Sequence, residues 1–157
     1  MSKSLKKHKS ENPVFNLINC KIGKNVKISP CVNLYGCEIG DDVFIGPFVE
    51  VQKDAKIGSR TRIQSHSFIC SGVTIGSDVF VGHGVMFIND KYPRLGGDWE
   101  FLKTNVGDHA SIGSNATIMP VNIGSWAMVG AGSVVTKNVP NGSTAFGNPA
   151  KVINSGV

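Results

Sequence analysis

IGDDVFIGPFVEVQKDAKIGSRTRIQSHSFICSGVTIGSDVFVGHGVMF, residues 39 to 87, decides how this chain folds. Every sixth residue of it is apolar: Ile39, Ile45, Val51, Ile57, Ile63, Ile69, Ile75, Val81 and Phe87. Four places after each of the first eight stands a small or β-branched residue: Val43, Val49, Ala55, Thr61, Ser67, Val73, Val79 and Val85. A step of six fits neither the period of a helix, about 3.6, nor the simple alternation of an isolated strand. It signals a solenoid, in which each short repeat buries its apolar side against the repeats before and after it. The positions between, often Gly, Asp, Lys or Ser, are what bends between short strands need.

Working outward, the step begins at Ile22, Ile28 and Leu34 and shortens by one residue at Tyr35-Gly36-Cys37-Glu38 before Ile39. After Phe87 it fails from about 88 to 105, a stretch with Pro93, Gly96 and Gly97 inside, which reads as an inserted loop. It resumes at Val106, Ile112 and Ile118, slips by one residue at Met119-Pro120-Val121-Asn122, and continues at Ile123, Val129 and Val135. Three such hexads per turn make a triangular prism with strands about 4.8 Å apart, so residues eighteen apart stack. The count implies about five to six coils in a rod about 25 Å long. A solenoid must hide its terminal layers. Residues 14 to 20, VFNLINC, are expected to cap one end, and 139 to 157 the other, with a turn at Asn148-Pro149.

The 157 residues suit one domain: a basic tail over 1 to 13, expected to be flexible, and a single β-helix over 14 to 157. The formal charge is +5, but Lys3, Lys6, Lys7 and Lys9 place four positives in the first ten residues. Nothing in the body resembles a nucleic-acid-binding motif, and a solvated basic terminus explains the charge. There is no long apolar run and no signal-peptide core, so the expected location is cytoplasmic, away from the membrane. Cys20, Cys31, Cys37 and Cys70 lack metal spacing and read as free thiols, with no metal expected.

The register also proposes neighbours. His66 lies three places after Ile63, and His83 two places after Val81, so the two are expected to stack one coil apart on one corner. The plain alternative is a pair of solvated corner residues. Asn89 opens the inserted loop and stacks over Ser71 on another corner. One narrow prism cannot turn both corners toward a common point, so a site built from both sets belongs at a subunit interface. The loop itself carries Asn89, Asp90, Lys91, Tyr92, Arg94, Asp98 and Trp99, a density of polar and aromatic groups beyond what a connector needs.

Residues 129 to 153, VGAGSVVTKNVPNGSTAFGNPAKVI, preceded by SIGSNATIMP at 111 to 120, resemble the C-terminal half of the left-handed β-helix acyltransferases with hexapeptide repeats. Residues 62 to 94, RIQSHSFICSGVTIGSDVFVGHGVMFINDKYPR, resemble the branch that acetylates amino groups of nucleotide-linked amino sugars, nearest to the 3-amino-3-deoxyhexose N-acetyltransferases of surface-polysaccharide synthesis. The likeness covers about residues 20 to 153. It implies an all-β, left-handed parallel β-helix, against the usual crossover hand, assembled as a homotrimer with acetyl-CoA in a groove between subunits. It also implies that the sugar amine meets the thioester near Asn89 and Asp90. Two departures stand out: Ser71 occupies a position that is often acidic, and the bend after Pro120 lacks a Gly found in similar sequences.

Acetyl transfer to an amine needs a free amine, a thioester held close to it and donors for the developing oxyanion. On this reading Asn89 and Asp90 orient the amino sugar, and His66 or His83 places it or accepts its proton. Ser71, Tyr92 and Arg94 face the sugar nucleotide, Arg94 offering paired donors to a diphosphate. Ala131, Lys137 and Lys151 belong to the coenzyme groove, the lysines toward its phosphates. Other acceptors suit the same solenoid: a serine, a maltose-like sugar hydroxyl or a dicarboxylate amine. So does a carbonic-anhydrase-like β-helix binding a metal between subunits, or an inactive scaffold. A metal centre would need three converging histidines, and His109 cannot be phased across the insertion.

Overall fold

The computed structural model describes residues 14–153; the basic tail, His8 and residues 154–157 lie outside the described residues. The described chain is all β. No helix among the described residues is long and apolar enough to cross a membrane. Short strands form three sheets of seven, six and eight strands, parallel throughout except for the last strand, Ala150–Ile153. The chain visits them in rotation, Phe15–Ile18 on the first face, Lys21–Ile22 on the second and Lys27–Ile28 on the third, then Val32–Tyr35 on the first again. This is the left-handed β-helix expected from the sequence, with six complete coils and a partial seventh.

One column on the second face shows the register. Lys21, Glu38, Lys56, Thr74, Asn105 and Asn122 are successive Cα partners. The steps are 17, 18, 18, 31 and 17 residues, so each slip in the hexad pattern is one residue removed from a corner, and the insertion adds thirteen to a coil of eighteen. The second face resumes at Thr104–Val106, slightly earlier than the sequence pattern indicates.

The core is the hexad series. From Ile39 to Phe87 every sixth residue is no more than 4% exposed, and the residues four places on are buried with them. The two hydroxyls among these stay in the core because they find partners. Thr61 Oγ1 donates to the Gly76 carbonyl at 2.9 Å and accepts from the Val79 amide, and Ser67 Oγ donates to the Gly82 carbonyl at 2.9 Å.

The two ends differ from each other. Phe15–Ile18 is the end strand expected over 14 to 20: it pairs in parallel register with Val32–Tyr35 and forms the first rung of the first face. With no rung beneath them among the described residues, Phe15, Leu17 and Ile18 remain more than 40% exposed. At the other end Thr144–Gly147 and Ala150–Ile153 fold back as an antiparallel hairpin around a cis Asn148-Pro149 bond, burying Ala145 and Val139 over the last coil. That hairpin is a cap.

Candidate active site

Two of the three corners carry the residues singled out from the sequence. At the corner between the first and second faces the chain leaves the prism after Met86–Phe87. Asn89 Nδ2 donates to the Ser71 carbonyl at 3.1 Å, which is the stacking expected from an eighteen-residue coil. Ser71 itself is 6% exposed, and its amide and hydroxyl lie 3.2 and 3.5 Å from Gln52 Oε1. Gln52 Nε2 in turn donates to Glu50 Oε1 at 3.0 Å. Glu50, Gln52, Ser71 and Asn89 thus form one hydrogen-bonded column, and Asn89, not the Ser71 hydroxyl, is its outward end. Asp90 Oδ1 accepts from the Tyr92 amide at 2.9 Å, an Asx turn that fixes how the loop sets out.

The loop returns over Gly72. The Leu102 amide donates to the Asn89 carbonyl at 3.3 Å, and the Phe101 ring lies where a side chain on Gly72 would stand, 2.6 Å from an added Cβ. Gly72 has φ +83°, so both its backbone and the aromatic lid over it require glycine. Trp99 packs edge-on against Phe101 at 5.5 Å. Nothing in the hexad pattern pointed to Gln52 or Phe101. Gln52 could have been found by stepping back nineteen residues from Ser71; Phe101 lies inside the stretch where the register is lost.

Two hollows lie between the start of the loop and the C-terminal cap. Lys91 and Tyr92 wall a hollow of about 260 Å³ together with Met119 and Thr136. Thr136 also borders a cavity of about 380 Å³ walled by Lys137, Pro149 and Lys151. Tyr92 and the two lysines thus line neighbouring hollows that share Thr136. Arg94 is exposed, lies farther out on the loop and lines neither hollow.

The corner between the third and first faces holds both histidines, but not stacked on each other. The expected alignment is off by one residue, since eighteen places before His83 is Ser65, and eighteen before His66 is Phe48. His83 Nδ1 lies 2.8 Å from Ser65 Oγ, and the His83 amide donates to Ser114 Oγ at 3.2 Å. Ala131 continues this column one coil above Ser114, against Gly113. The His66 ring instead stacks on Phe48, with centroids 4.8 Å apart. His66 and Phe48 have φ of 62° and 59°, a left-handed conformation costing a non-glycine residue about 1–2 kcal/mol. The same conformation recurs at other corners, as at Asp42, Asp54, Arg60, Asp78, His109 and Trp126, so it belongs to the coil's turn geometry.

At the remaining corner His109 stacks on Trp126, with centroids 4.1 Å apart and planes 15° from parallel, away from the other two histidines. Among the described residues no three His, Cys, Asp or Glu side chains converge as a metal site would require. The four cysteines are free, Cys20 Sγ and Cys37 Sγ standing 3.6 Å apart. Burial pushes the Cys37 thiol up to about 12 and Cys70 up to about 11, so neither is a thiolate nucleophile near neutral pH.

The repeat matches known proteins. The bacterial transferase hexapeptide (six repeats) model fits residues 36–71 and 54–89, and the hexapeptide repeat of succinyl-transferase fits 103–137. The chain belongs to the hexapeptide-repeat transferase family. Within the family it is 38% identical over 109 residues to the bifunctional protein GlmU of Fervidobacterium nodosum, a match covering 66% of this chain and 22% of that protein. The chain thus spans about a fifth of the length of the curated relatives it matches. Among solved structures, a Vibrio cholerae hexapeptide-repeat acetyltransferase complexed with acetyl-CoA superposes with a TM-score of 0.70 at 25% identity, covering 76% of this chain and 70% of that one. Two others share the fold at lower identity. They are AntD, an N-acyltransferase of Bacillus cereus in complex with dTDP and coenzyme A (TM-score 0.78, 23% identity, 87% and 83% covered), and the perosamine N-acetyltransferase of Caulobacter crescentus in complex with CoA and GDP-perosamine (0.73, 24%, 83% and 57%).

Proposed function

We propose that this hexapeptide-repeat protein is an acetyl-CoA-dependent N-acetyltransferase acting on the amino group of a nucleotide-linked amino sugar. The acceptor we favour is a dTDP- or UDP-linked 3-amino-3,6-dideoxyhexose used in cytoplasmic steps of surface-polysaccharide synthesis. The observation that carries this reading is the Asn89 corner. Asn89, tied to the stack through Ser71, stands at the head of the inserted loop, and the loop's next residues, Lys91 and Tyr92, line a hollow that shares Thr136 with the one walled by Lys137 and Lys151. An amide and a carboxylate at one end suit a polyhydroxylated amine. Lysines and an apolar cavity at the other suit a phosphorylated thioester. The solved relatives support the pairing, since the Vibrio cholerae protein holds acetyl-CoA and AntD holds dTDP with coenzyme A.

In this scheme the amine nitrogen attacks the thioester carbon, the C–N bond forms, the C–S bond breaks, and the amine proton passes by way of a base to the departing thiolate, so that the coenzyme is released as a thiol. Alignment contributes about 7–11 kcal/mol to such a step, and a general base about 3–5.5 kcal/mol. Orientation by Asn89 and Asp90 is therefore the larger contribution. The histidines stand at a different corner, with the first face between them and Asn89. A homotrimer that sets the histidine corner of one subunit against the Asn89 corner of the next completes the site.

Thiol release from acetyl-CoA, measured against a panel of dTDP- and UDP-amino sugars, tests the proposal. Release with at least one amino sugar is expected. Release only with a hydroxyl acceptor overturns the function and leaves the fold standing.

A further inference from the structure

The two histidines of the third corner are held differently. The His66 ring rests on an aromatic face, a contact indifferent to which ring nitrogen carries the proton. The His83 ring is fixed through one nitrogen, because Nδ1 faces Ser65 Oγ at 2.8 Å. Its main chain is tied from the opposite side, the amide donating to Ser114 Oγ on the rung above. Gly82 lets that rung approach, since a Cβ there would stand 2.6 Å from the Ser114 amide. The ring is exposed, so Nε2 is the nitrogen left to meet a ligand.

We infer that Ser65 is a positioning residue that accepts a hydrogen bond from His83 Nδ1–H, fixing the tautomer in which Nε2 carries the lone pair. The direction given to this bond rests on the acetyltransferase reading; the contact between Ser65 Oγ and His83 Nδ1 does not.

Chemistry chooses between the two possible directions of this bond. A serine hydroxyl can donate to Nδ1 or accept from it. If it donated, the neutral ring would carry its proton on Nε2 and could accept nothing from an amine. Imidazolium, moreover, donates from both nitrogens, so once Nε2 has taken the amine proton Ser65 must be an acceptor. A Ser65 Oγ that already accepts in the resting state needs no reorientation during the transfer, which is the condition under which preorganised polar groups lower a barrier. The balance is complete. The amine loses its proton to Nε2, acetyl moves from sulfur to nitrogen, and the proton returns from Nε2 to the departing thiolate or to water. Ser65 never leaves Nδ1. Of the two histidines, His83 is the one whose ring is held through a nitrogen, His66 being held by ring stacking on Phe48.

The tautomer can be read without turnover. In ¹⁵N-histidine-labelled protein, with His83 assigned by comparison with His83→Gln and the ring held neutral, long-range ¹H–¹⁵N correlations report which nitrogen is protonated. The expected result is the Nδ1–H form in the parent, a shift toward the Nε2–H form in Ser65→Ala, and recovery in Ser65→Thr. In the thiol-release assay Ser65→Ala is expected to lower kcat about 10- to 100-fold, the effect typical of removing the partner that orients a functional histidine, with KM little changed. An Nε2–H ring in the parent, or no change in tautomer in Ser65→Ala, overturns the inference. If the parent transfers acetyl to no amine, the acetyltransferase reading fails, while the tautomer measurement still decides the role of Ser65.

Discussion

The coil between Ile39 and Phe87 and the loop that interrupts it are built on opposite terms. In the coil every sixth side chain is buried and each rung hydrogen-bonds to the next. In the loop residues 91–101 are all exposed, and its few internal ties include the Asx turn at Asp90 and a Gly97 amide 3.4 Å from the Arg94 carbonyl. The coil uses its side chains to hold its neighbours. Apart from Trp99 and Phe101, which pack on each other over Gly72, the loop spends almost none that way, so its Tyr92 and Arg94 are available to something else. Stability and recognition are thus written in separate segments, joined at Ser71, Gly72 and Asn89.

The sharpest way to break that division is to remove core volume. Ile75, at 1% exposure, is packed between Ile57 below and Val106 above. Ile75→Ala is expected to lower unfolding free energy by about 2–5 kcal/mol, because the hydrogen-bonded rungs on either side keep the gap from closing. Chemical denaturation measures this, and the protein that remains folded should turn over normally. A loss of less than about 1 kcal/mol would mean that the stack does not depend on its hexad core.

The complementary substitution is at the join. Asn89→Ala removes the side chain bonded to the Ser71 carbonyl, on a residue that is only half-buried. We expect kcat/KM for the amino sugar to fall about 10- to 100-fold, equivalent to about 1.4–2.7 kcal/mol of transition-state binding, with the melting temperature nearly unchanged. If melting temperature and kcat/KM fall in proportion, Asn89 is part of the coil and the proposed separation fails at that residue.

The coil was legible in the sequence because inward positions repeat every six residues and are almost all small or branched apolar side chains, Phe87, Thr61 and Ser67 being exceptions. Each removed residue, at Tyr35–Glu38 and Met119–Asn122, shows as a one-place slip. The vertical contact between Asn89 and Ser71 was legible for the same reason, both lying two places after a core residue. Corner contacts were harder to read, since a shift of one residue changes the neighbour completely: His83 meets Ser65, not His66. The end strand over 14 to 20 was legible from its alternation of apolar and polar residues, and its pairing with Val32–Tyr35 makes it the first rung of the first face. Within the loop there was no period to use. The contact of Phe101 with Gly72 depends on where an irregular backbone returns, which spacing does not encode.

The smallest expected effect belongs to the corner that is neither core nor loop. Arg60 Nε and Nη2 donate to the two carboxylate oxygens of Asp78, each at 2.7 Å, across one coil spacing. The Arg60 hydrogen bonds hold the Asp78 carboxyl below its usual value, and the charge of His109 on the next coil adds a weaker pull the same way. A carboxyl depressed by folding stabilises the fold fully above its unfolded pKa, about 3.9, and loses that contribution as pH falls through the folded value. Asp78→Asn should therefore be slightly less stable than the parent at neutral pH, and the difference should shrink below about pH 4. Because the pair is solvent-exposed, added salt should shrink it too. A difference that persists at low pH, or one as large as that of Ile75→Ala, would place a share of the holding energy in the corners that the coil–loop comparison assigns to the core.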